Sequence, residues 1–148
     1  MLKSISSTKK SYLAGFLDAD GSIYVQAKPN KTYRFGFQVA PYIVFYQSHK
    51  DAKSFHRVCS LTKLGHKRLR KDGIVEHIIS KQEEIISFIG LVEPYVIMKK
   101  SQIALLKRII SLKKKVKTRK DFKQLINVID QFRELNYSKK RKKRTLTP

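Results

Sequence analysis

The chain has 148 residues, about the size of one domain, and 41% of them are hydrophobic, which allows a core and excludes a disordered tail. Its formal net charge of +22 predicts a polyanionic partner, either nucleic acid or an anionic membrane surface. No apolar run approaches the ~18 residues needed to span a bilayer. A single cysteine, Cys59, excludes an intrachain disulfide and favours a reducing, intracellular setting.

The first predicted element is a short helix over residues 11–20. Its apolar stripe is formed by Tyr12, Leu13, Phe16 and Leu17. Candidate N-caps are Ser6, Ser7 and Thr8. Gly21 follows as a helix stop.

Two strands are predicted next. Residues 22–28 alternate, with Ile23, Val25 and Ala27 on one face, and a turn follows at 29–31. Residues 33–46 form the second strand, whose inward side chains are Tyr33, Phe35, Phe37, Val39, Ile43 and Phe45. Pro41 inside this strand indicates a bulge or an edge position.

A helix is predicted over 48–60, and Asp72-Gly73 marks a hairpin between extended segments 64–70 and 74–80. Further helices are predicted at 82–92, 95–114 and 120–135; the stripe of the last is Phe122, Leu125, Ile126, Ile129 and Phe132. The order αββαββααα predicts an α+β protein, a single αββαββα-type domain over residues 1–138. Its four-stranded antiparallel sheet is backed by helices, and a basic tail follows at 139–148.

Asp18 and Asp20 are the only acids among the first 50 residues. Both fall at the C-terminal end of the first helix, where the helix dipole disfavours negative charge and the two carboxylates repel each other. A bound divalent cation would offset both penalties, since magnesium takes carboxylate and carbonyl oxygens. Gly15 and Ala19 lie on one face of this helix, so two copies could pack closely and bring two Asp20 carboxylates together, as a two-metal site requires.

The segment from Leu13 to Gly21 resembles the signature motif of the LAGLIDADG homing endonucleases, and only Phe16 and Leu17 depart from it. The resemblance continues through YLAGFLDADGSI, KPN, the lysine after EPY, and LNYSKK. It is closest to the single-motif homodimeric subgroup, because two-motif members would be about twice as long.

The resemblance implies a site-specific intron-homing DNA endonuclease. Such an enzyme is a homodimer that makes a double-strand break in a long, pseudo-palindromic site of double-stranded DNA by metal-dependent phosphodiester hydrolysis. The implied cofactor is Mg²⁺, with Mn²⁺ or Ca²⁺ able to replace it in binding, and no small-molecule cofactor or membrane takes part. Family membership suggests an organellar or archaeal intron-encoded protein, and the sequence leaves the host and compartment undetermined.

Residue by residue, Asp20 matches the metal ligand, and Ala19 matches the position whose carbonyl faces a metal. Gln47 and Lys99 match the residues that order the catalytic water network and balance charge. Relatives carry a basic residue shortly after Gln47, where this chain has Ser48-His49-Lys50-Asp51, and Lys50 is the candidate replacement. The implied dimer interface consists of Leu13, Gly15, Phe16 and Ala19.

The outward face of the sheet is nearly free of acids, whereas an ordinary exposed face would mix both signs of charge. Arg and Lys pair with guanine edges, Gln and Asn with adenine edges. The predicted DNA-binding residues of the sheet and its loops are Tyr24, Gln26, Lys28, Asn30, Tyr33, Arg34, Gln38, Tyr42, Tyr46, Arg68, Arg70 and Glu76. Phosphate contacts are predicted for the tail residues Lys139, Lys140 and Lys142, and near a helix end for Lys113, Lys114, Lys115, Lys117 and Arg119.

Four alternatives remain open. The acids could belong to an ordinary helix end, or to a non-cutting relative that keeps the motif for packing. A maturase that binds RNA and assists intron splicing would use the same basic sheet, as would a transcription factor. Intact Asp20, Gln47 and Lys99 favour the enzyme, since neither packing nor nucleic-acid binding requires all three.

Overall fold

The computed structural model describes residues 4–136. The elements follow in the order α1 (Ser7–Asp20), β1 (Gly21–Pro29), β2 (Phe37–Ser48), α2 (Ala52–Cys59), β3 (His66–Leu69), β4 (Ile74–Ile79), α3 (Gln82–Val92), α4 (Lys100–Lys115), α5 (Arg119–Asp130) and α6 (Phe132–Leu135). Short 3₁₀ turns lie at His49–Asp51 and Glu93–Tyr95. Within the described range, none of the helices has the length and apolar character needed to cross a bilayer.

The four strands form one sheet in the order β1-β2-β4-β3. β2 and β4 are antiparallel from the pair Ile43–Ile79 to the pair Ser48–Ile74. β3 and β4 are antiparallel as well, and their connection contains Gly73 with a φ of +82°, as the Asp-Gly signal predicts. The predicted α+β class with a four-stranded antiparallel sheet is therefore confirmed.

Helix α1 begins earlier than predicted. The Ser6 hydroxyl accepts a hydrogen bond from the Lys9 main-chain N–H at 3.3 Å and caps the helix. Of the predicted stripe, Leu13 and Leu17 are buried, but Tyr12 is 58% exposed, so its placement in the core was wrong. At Gly21 a Cβ atom would lie 2.8 Å from the carbonyl oxygen of Leu17, so the exit from the helix leaves no room for a side chain.

Strand β2 begins at Phe37 rather than at residue 33, because residues 31–36 form turns. Tyr33 is exposed in this loop, so its predicted inward position was wrong. Phe35 leaves the strand pattern to stack on Phe122 of α5, with ring centroids 5.2 Å apart. The alternation of burial runs through Pro41 without a break, and Pro41 precedes the first pair with β4, so no bulge is needed there.

The later helices also differ from their predicted bounds. Residues 95–99 are not helical with α4, which begins at Lys100. The segment predicted as one helix over 120–135 is divided at Gln131 into α5 and α6. The predicted apolar stripe of this segment is buried throughout, at Phe122, Leu125, Ile126, Ile129 and Phe132.

The described chain divides into two compact units. The first combines residues 4–22 with Tyr42–Lys100, and the second combines Ile23–Pro41 with residues 101–136. In the first unit, Phe45 stacks on Phe16 at 5.1 Å and meets the edge of Phe88 at 5.8 Å. Cys59 is part of this core, and burial raises the pKa of its thiol to about 12, which leaves it protonated at neutral pH.

Two glycines allow a matched test of the turn between β3 and β4. Gly73 has a left-handed φ, and a Cβ added there would lie 2.9 Å from Nδ1 of His49. Gly90 lies on the exposed side of α3, and a Cβ added there would meet nothing within 4 Å. We expect Gly73→Ala to lower the free energy of unfolding by about 1–2 kcal/mol. Gly90→Ala should raise it by roughly 0.5–1 kcal/mol. Denaturant unfolding measures both, and a Gly73→Ala variant as stable as the wild type would contradict the turn assignment.

Candidate active site

The candidate site lies at the C-terminal end of α1, within the first unit. Asp20 is the last residue of this helix, and its side chain is exposed. Near the end of β2, the Gln47 side-chain amide donates from Nε2 to Oδ2 of Asp20 over 3.4 Å. The structure therefore brings together two predicted site residues that are 27 positions apart in the sequence.

Asp18 has a different environment from Asp20. Its Oδ2 accepts the main-chain N–H groups of Ile97 at 2.8 Å and Met98 at 3.1 Å, and its Oδ1 accepts that of Lys99 at 3.1 Å. These N–H groups lead into α4, where the helix dipole favours an anion. Main-chain donors therefore compensate the charge of Asp18, for which the sequence had suggested a cation.

Lys99 approaches the same helix end through its side chain. Its Nζ donates to the main-chain carbonyl of Asp18 at 3.0 Å. The C-terminal carbonyls of a helix carry partial negative charge and lack helical partners, so an ammonium group is stabilised there. Lys99 thus lies within the part of the structure that contains Asp20, as the motif predicts for a charge-balancing lysine.

The oxygen atoms at this helix end suit a hard divalent cation. Asp20 offers an exposed carboxylate, and Ala19 is exposed on the preceding position of the same turn. Across residues 4–136, no group of three or more His, Cys, Asp or Glu side chains is close enough to hold a metal. The described part of one chain therefore supplies one suitable carboxylate here, and a second chain would supply another.

The exposed face of α1 contains Gly15, Ala19 and Tyr12. A Cβ added at Gly15 would meet nothing within 4 Å, so this face is open in the single chain. Of the other two predicted interface residues, Leu13 is 2% exposed in the chain's own core, and Phe16 is half-buried and stacks on Phe45. Their apolar character serves intrachain packing.

Sequence reasoning missed the exposed apolar pair Ile97 and Met98. They are 79% and 75% exposed, and the carboxylate of Asp18 fixes both main-chain N–H groups. The sequence places them inside a predicted helix at 95–114, where periodicity gave no reason to single them out. Their exposure becomes apparent only because α4 begins after them.

Residues 13–109 match a family model described as LAGLIDADG endonuclease, and this span contains Asp20, Gln47 and Lys99. The chain belongs to the LAGLIDADG endonuclease family. It is 32% identical over 133 residues to DNA endonuclease I-CreI of Chlamydomonas reinhardtii, covering 88% of this chain and 80% of that protein.

Solved structures show the same LAGLIDADG fold. The homing endonuclease I-CvuI, crystallised with its target in the presence of 2 mM Ca, matches with a TM-score of 0.80 at 25% identity, covering 94% of this chain and 87% of that one. The archaeal intron-encoded homing endonuclease I-Vdi141I, complexed with DNA, has a TM-score of 0.80 at 18% identity, covering 94% of this chain and 90% of that one. The latter likeness concerns the fold alone.

In the first unit of this LAGLIDADG chain, three predicted DNA-binding residues share a sheet face, namely Tyr46, Arg68 and Glu76. They do so because Glu76 is the register partner of both others. Glu76 lies 3.9 Å from Nε of Arg68 and 3.6 Å from Nη1 of Arg70. Arg70 also meets Asp72 at 2.7 Å. The one acid predicted on this face therefore orients two arginines, while Tyr42 lies farther along β2 on the same side of the alternation.

In the second unit, Tyr24, Gln26 and Lys28 alternate with buried residues along β1, as predicted, and Gln38 does so on β2. Asn30 has a local role in the turn, because its Oδ1 accepts hydrogen bonds from the main-chain N–H and the hydroxyl of Thr32. The Arg34 guanidinium lies 5.1 Å from the ring centroid of Phe35. Asn30 therefore has less hydrogen-bonding capacity for an adenine edge than an asparagine whose Oδ1 accepts no bond within the fold.

The basic residues predicted to touch phosphates differ in their surroundings. Nζ of Lys113 donates to the main-chain carbonyl of Val39 at 3.1 Å, so this lysine fixes a strand as well as carrying charge. The others, which lie at the end of α4, in the connection and at the start of α5, are exposed, namely Lys114, Lys115, Lys117 and Arg119. The tail residues Lys139, Lys140 and Lys142 lie outside the described residues.

After Gln47, where the family resemblance predicts a basic residue, His49 is engaged in the fold. Its ring Nδ1 lies 3.0 Å from the carbonyl oxygen of Gly73, and its main-chain N–H donates to the same oxygen at 2.9 Å. Lys50 is exposed on the adjoining 3₁₀ turn. Both side chains are exposed, and that of His49 is held at the Gly73 carbonyl.

Proposed function

We propose that this chain is a site-specific homing endonuclease that acts as a homodimer on double-stranded DNA. It makes a double-strand break in a long, pseudo-palindromic site by metal-dependent phosphodiester hydrolysis. The observation that carries the proposal is the grouping of Asp20, Gln47 and Lys99 at the end of the motif helix of a LAGLIDADG family member. Residues 1–138 would form the endonuclease domain, and 139–148 its basic tail.

The proposed cofactor is Mg²⁺, held by the carboxylate of Asp20 and the carbonyl of Ala19. A divalent ion bound there would stabilise the negative charge that develops on the phosphate oxygens during hydrolysis. Gln47, whose amide reaches Asp20, orients that carboxylate and the neighbouring water. Lys99 adds positive charge near the scissile phosphate, which lowers the electrostatic cost of the transition state.

Two features support a second copy of the chain as the partner. One chain contributes one exposed carboxylate at the site, whereas paired metal ions need oxygens from several groups. The open face of α1 also carries small residues at Gly15 and Ala19, which allow two helix backbones to approach closely. Ile97 and Met98 extend this surface with exposed apolar area.

Gly15→Leu is expected to convert the dimer to a monomer and to abolish double-strand cleavage. A leucine side chain would hold the two helices apart, although it meets no atom of its own chain. Gly90→Leu is the matched control, because it places the same side chain on another open helix face. Sedimentation and cleavage assays compare the two. A Gly15→Leu variant that remained dimeric would exclude this helix face as the interface.

DNA readout is proposed for the outward residues of the sheet. Arg68 and Arg70 would contact guanine edges, while Gln26 and Gln38 would contact adenine edges. Tyr24, Lys28, Tyr42 and Tyr46 would complete the surface along β1 and β2, with Asn30, Tyr33 and Arg34 at the loop between them. The tail lysines and the α4–α5 turn would contact phosphates without regard to sequence.

The deciding experiment is a cleavage screen of host loci that lack the intron, run with Mg²⁺ and with Ca²⁺. We expect double-strand breaks at one locus with Mg²⁺, and binding at the same locus with Ca²⁺. A maturase would instead bind intron RNA and leave every locus intact. The convergence of Asp20, Gln47 and Lys99 favours the nuclease, because RNA binding does not need a carboxylate directed to solvent among basic residues.

A further inference from the structure

We propose that Asp18 is a positioning residue of the cleavage reaction and that it acts through Lys99. This inference rests on the proposed function, because it assumes that Lys99 acts in hydrolysis. It assigns the two acids of the motif different tasks: Asp20 faces the metal, and Asp18 places the lysine.

Asp18 binds Lys99 at two places, the main-chain N–H group and the side-chain ammonium group. The Lys99 main-chain N–H donates to Oδ1 of Asp18 at 3.1 Å, while its Nζ donates to the main-chain carbonyl of Asp18 at 3.0 Å. One residue of α1 therefore holds both the backbone and the ammonium group of a residue 81 positions away.

The two side chains just before Lys99 contribute little packing to this segment. Val96 is buried at 1% exposure and anchors its start, but Ile97 and Met98 project into solvent and contribute little packing. The hydrogen bonds from their N–H groups to Oδ2 of Asp18 fix this stretch in place. Without the carboxylate, the start of α4 could shift, and a displacement of about 1 Å in a catalytic group can cost on the order of 100-fold in rate.

A carboxylate suits this position because the three groups hydrogen-bonded to it are all donors. Oδ2 serves two N–H groups and Oδ1 serves one. In Asp18→Asn, the side-chain NH₂ would replace one oxygen and face a main-chain N–H, since an amide nitrogen cannot accept a hydrogen bond. If the amide oxygen keeps Ile97 and Met98, the lost bond is the one to Lys99.

A double-mutant cycle with Asp18→Asn and Lys99→Met tests the inference. The readout is the single-turnover cleavage rate with saturating protein and Mg²⁺. We expect each single variant to cut roughly 10–100-fold more slowly than the wild type. The double variant should cut no more than about threefold more slowly than Lys99→Met, because Asp18 has no further effect once its lysine is gone.

Asp121→Asn is the matched control. Asp121 also accepts consecutive main-chain N–H groups at the start of a helix, from Lys117 and Thr118 at 3.1 Å each, but neither partner belongs to the proposed catalytic group of Asp20, Gln47 and Lys99. It should lower the midpoint of unfolding without changing the cleavage rate. DNA binding with Ca²⁺ should stay within about threefold of the wild type in Asp18→Asn, which shows that dimer and fold persist.

The outcomes separate the two proposals. Equal cleavage by Lys99→Met and the wild type would overturn the catalytic role of Lys99 and this inference with it. If Lys99→Met cuts slowly and the double variant loses rate by the product of the two single losses, the two residues act independently. That result would leave the nuclease assignment intact and overturn the role of Asp18. If Asp18→Asn fails to fold, Asp18→Glu keeps the charge and displaces it by one methylene, and the same cycle applies to it.

Discussion

Asp20→Asn should abolish DNA cleavage while leaving DNA binding within about tenfold of the wild type. The substitution replaces the proposed metal ligand by a neutral amide, once in each half of the proposed dimer. Asp20 is exposed at the end of α1 and meets the amide of Gln47, so the fold does not depend on its charge. Cleavage with Mg²⁺ and binding with Ca²⁺ are the two measurements.

Gln47→Glu provides a comparison at the same place, because it brings a second carboxylate within contact distance of Asp20. We expect it to slow cleavage and to alter the dependence of the rate on metal concentration. Retained cleavage by purified Asp20→Asn would remove Asp20 from the metal site. A loss of binding that matched the loss of cleavage would assign it to DNA recognition.

DNA affinity should fall by several orders of magnitude between ~50 and ~200 mM salt, if the dimer neutralises ~10 phosphates at a slope of about −0.9 each in log K against log salt. The net charge of +22 per chain supplies the cations. Deletion of residues 139–148 should flatten this slope and weaken binding to all sequences alike, because lysines on phosphates read no bases. Titrations across a salt series, on matched and single-substituted sites, measure the slope and the base preference together.

Arg70→Ala should act differently, with a loss of about 1–3 kcal/mol confined to one base position in each half-site. Arg70 is held between Asp72 and Glu76, so its guanidinium is already oriented before DNA arrives. Asp72→Ala is a useful companion, since it removes one of the two carboxylates that hold Arg70 and keeps the arginine itself. If the tail deletion changed the base preference and left the salt slope unchanged, the tail would read bases. The assignment of base readout to the sheet and of phosphate contacts to the tail would then be reversed.

The sequence was sufficient for elements whose pattern is local. The bounds of α3 and the alternation of β1 were confirmed, because their buried faces repeat at the expected period. The start of β2 was wrong for a physical reason. Tyr33 and Phe35 alternate with polar neighbours as a strand would, yet Phe35 is placed by its stacking on Phe122, a contact distant in sequence.

The candidate active site, too, could be predicted from local sequence patterns only in part. Asp18 and Asp20 have equivalent chemistry and differ by two positions, so no local pattern distinguishes a metal ligand from a residue that binds main-chain N–H groups. The difference arises from Ile97, Met98 and Lys99, which lie about 80 positions farther along the chain. Likewise, Leu13 and Phe16 carry the motif's apolar character, and only the fold shows that they face their own core.

The long separation between Asp18 and Lys99 also bears on how the protein matures during synthesis. Closing a loop of this length costs entropy that contacts elsewhere in the chain must offset first, so the lysine should reach its place late in folding. A ribosome-bound chain that has not yet released residues 97–99 would have the motif helix but not its lysine. Nascent or prematurely terminated chains should therefore be unable to cut DNA.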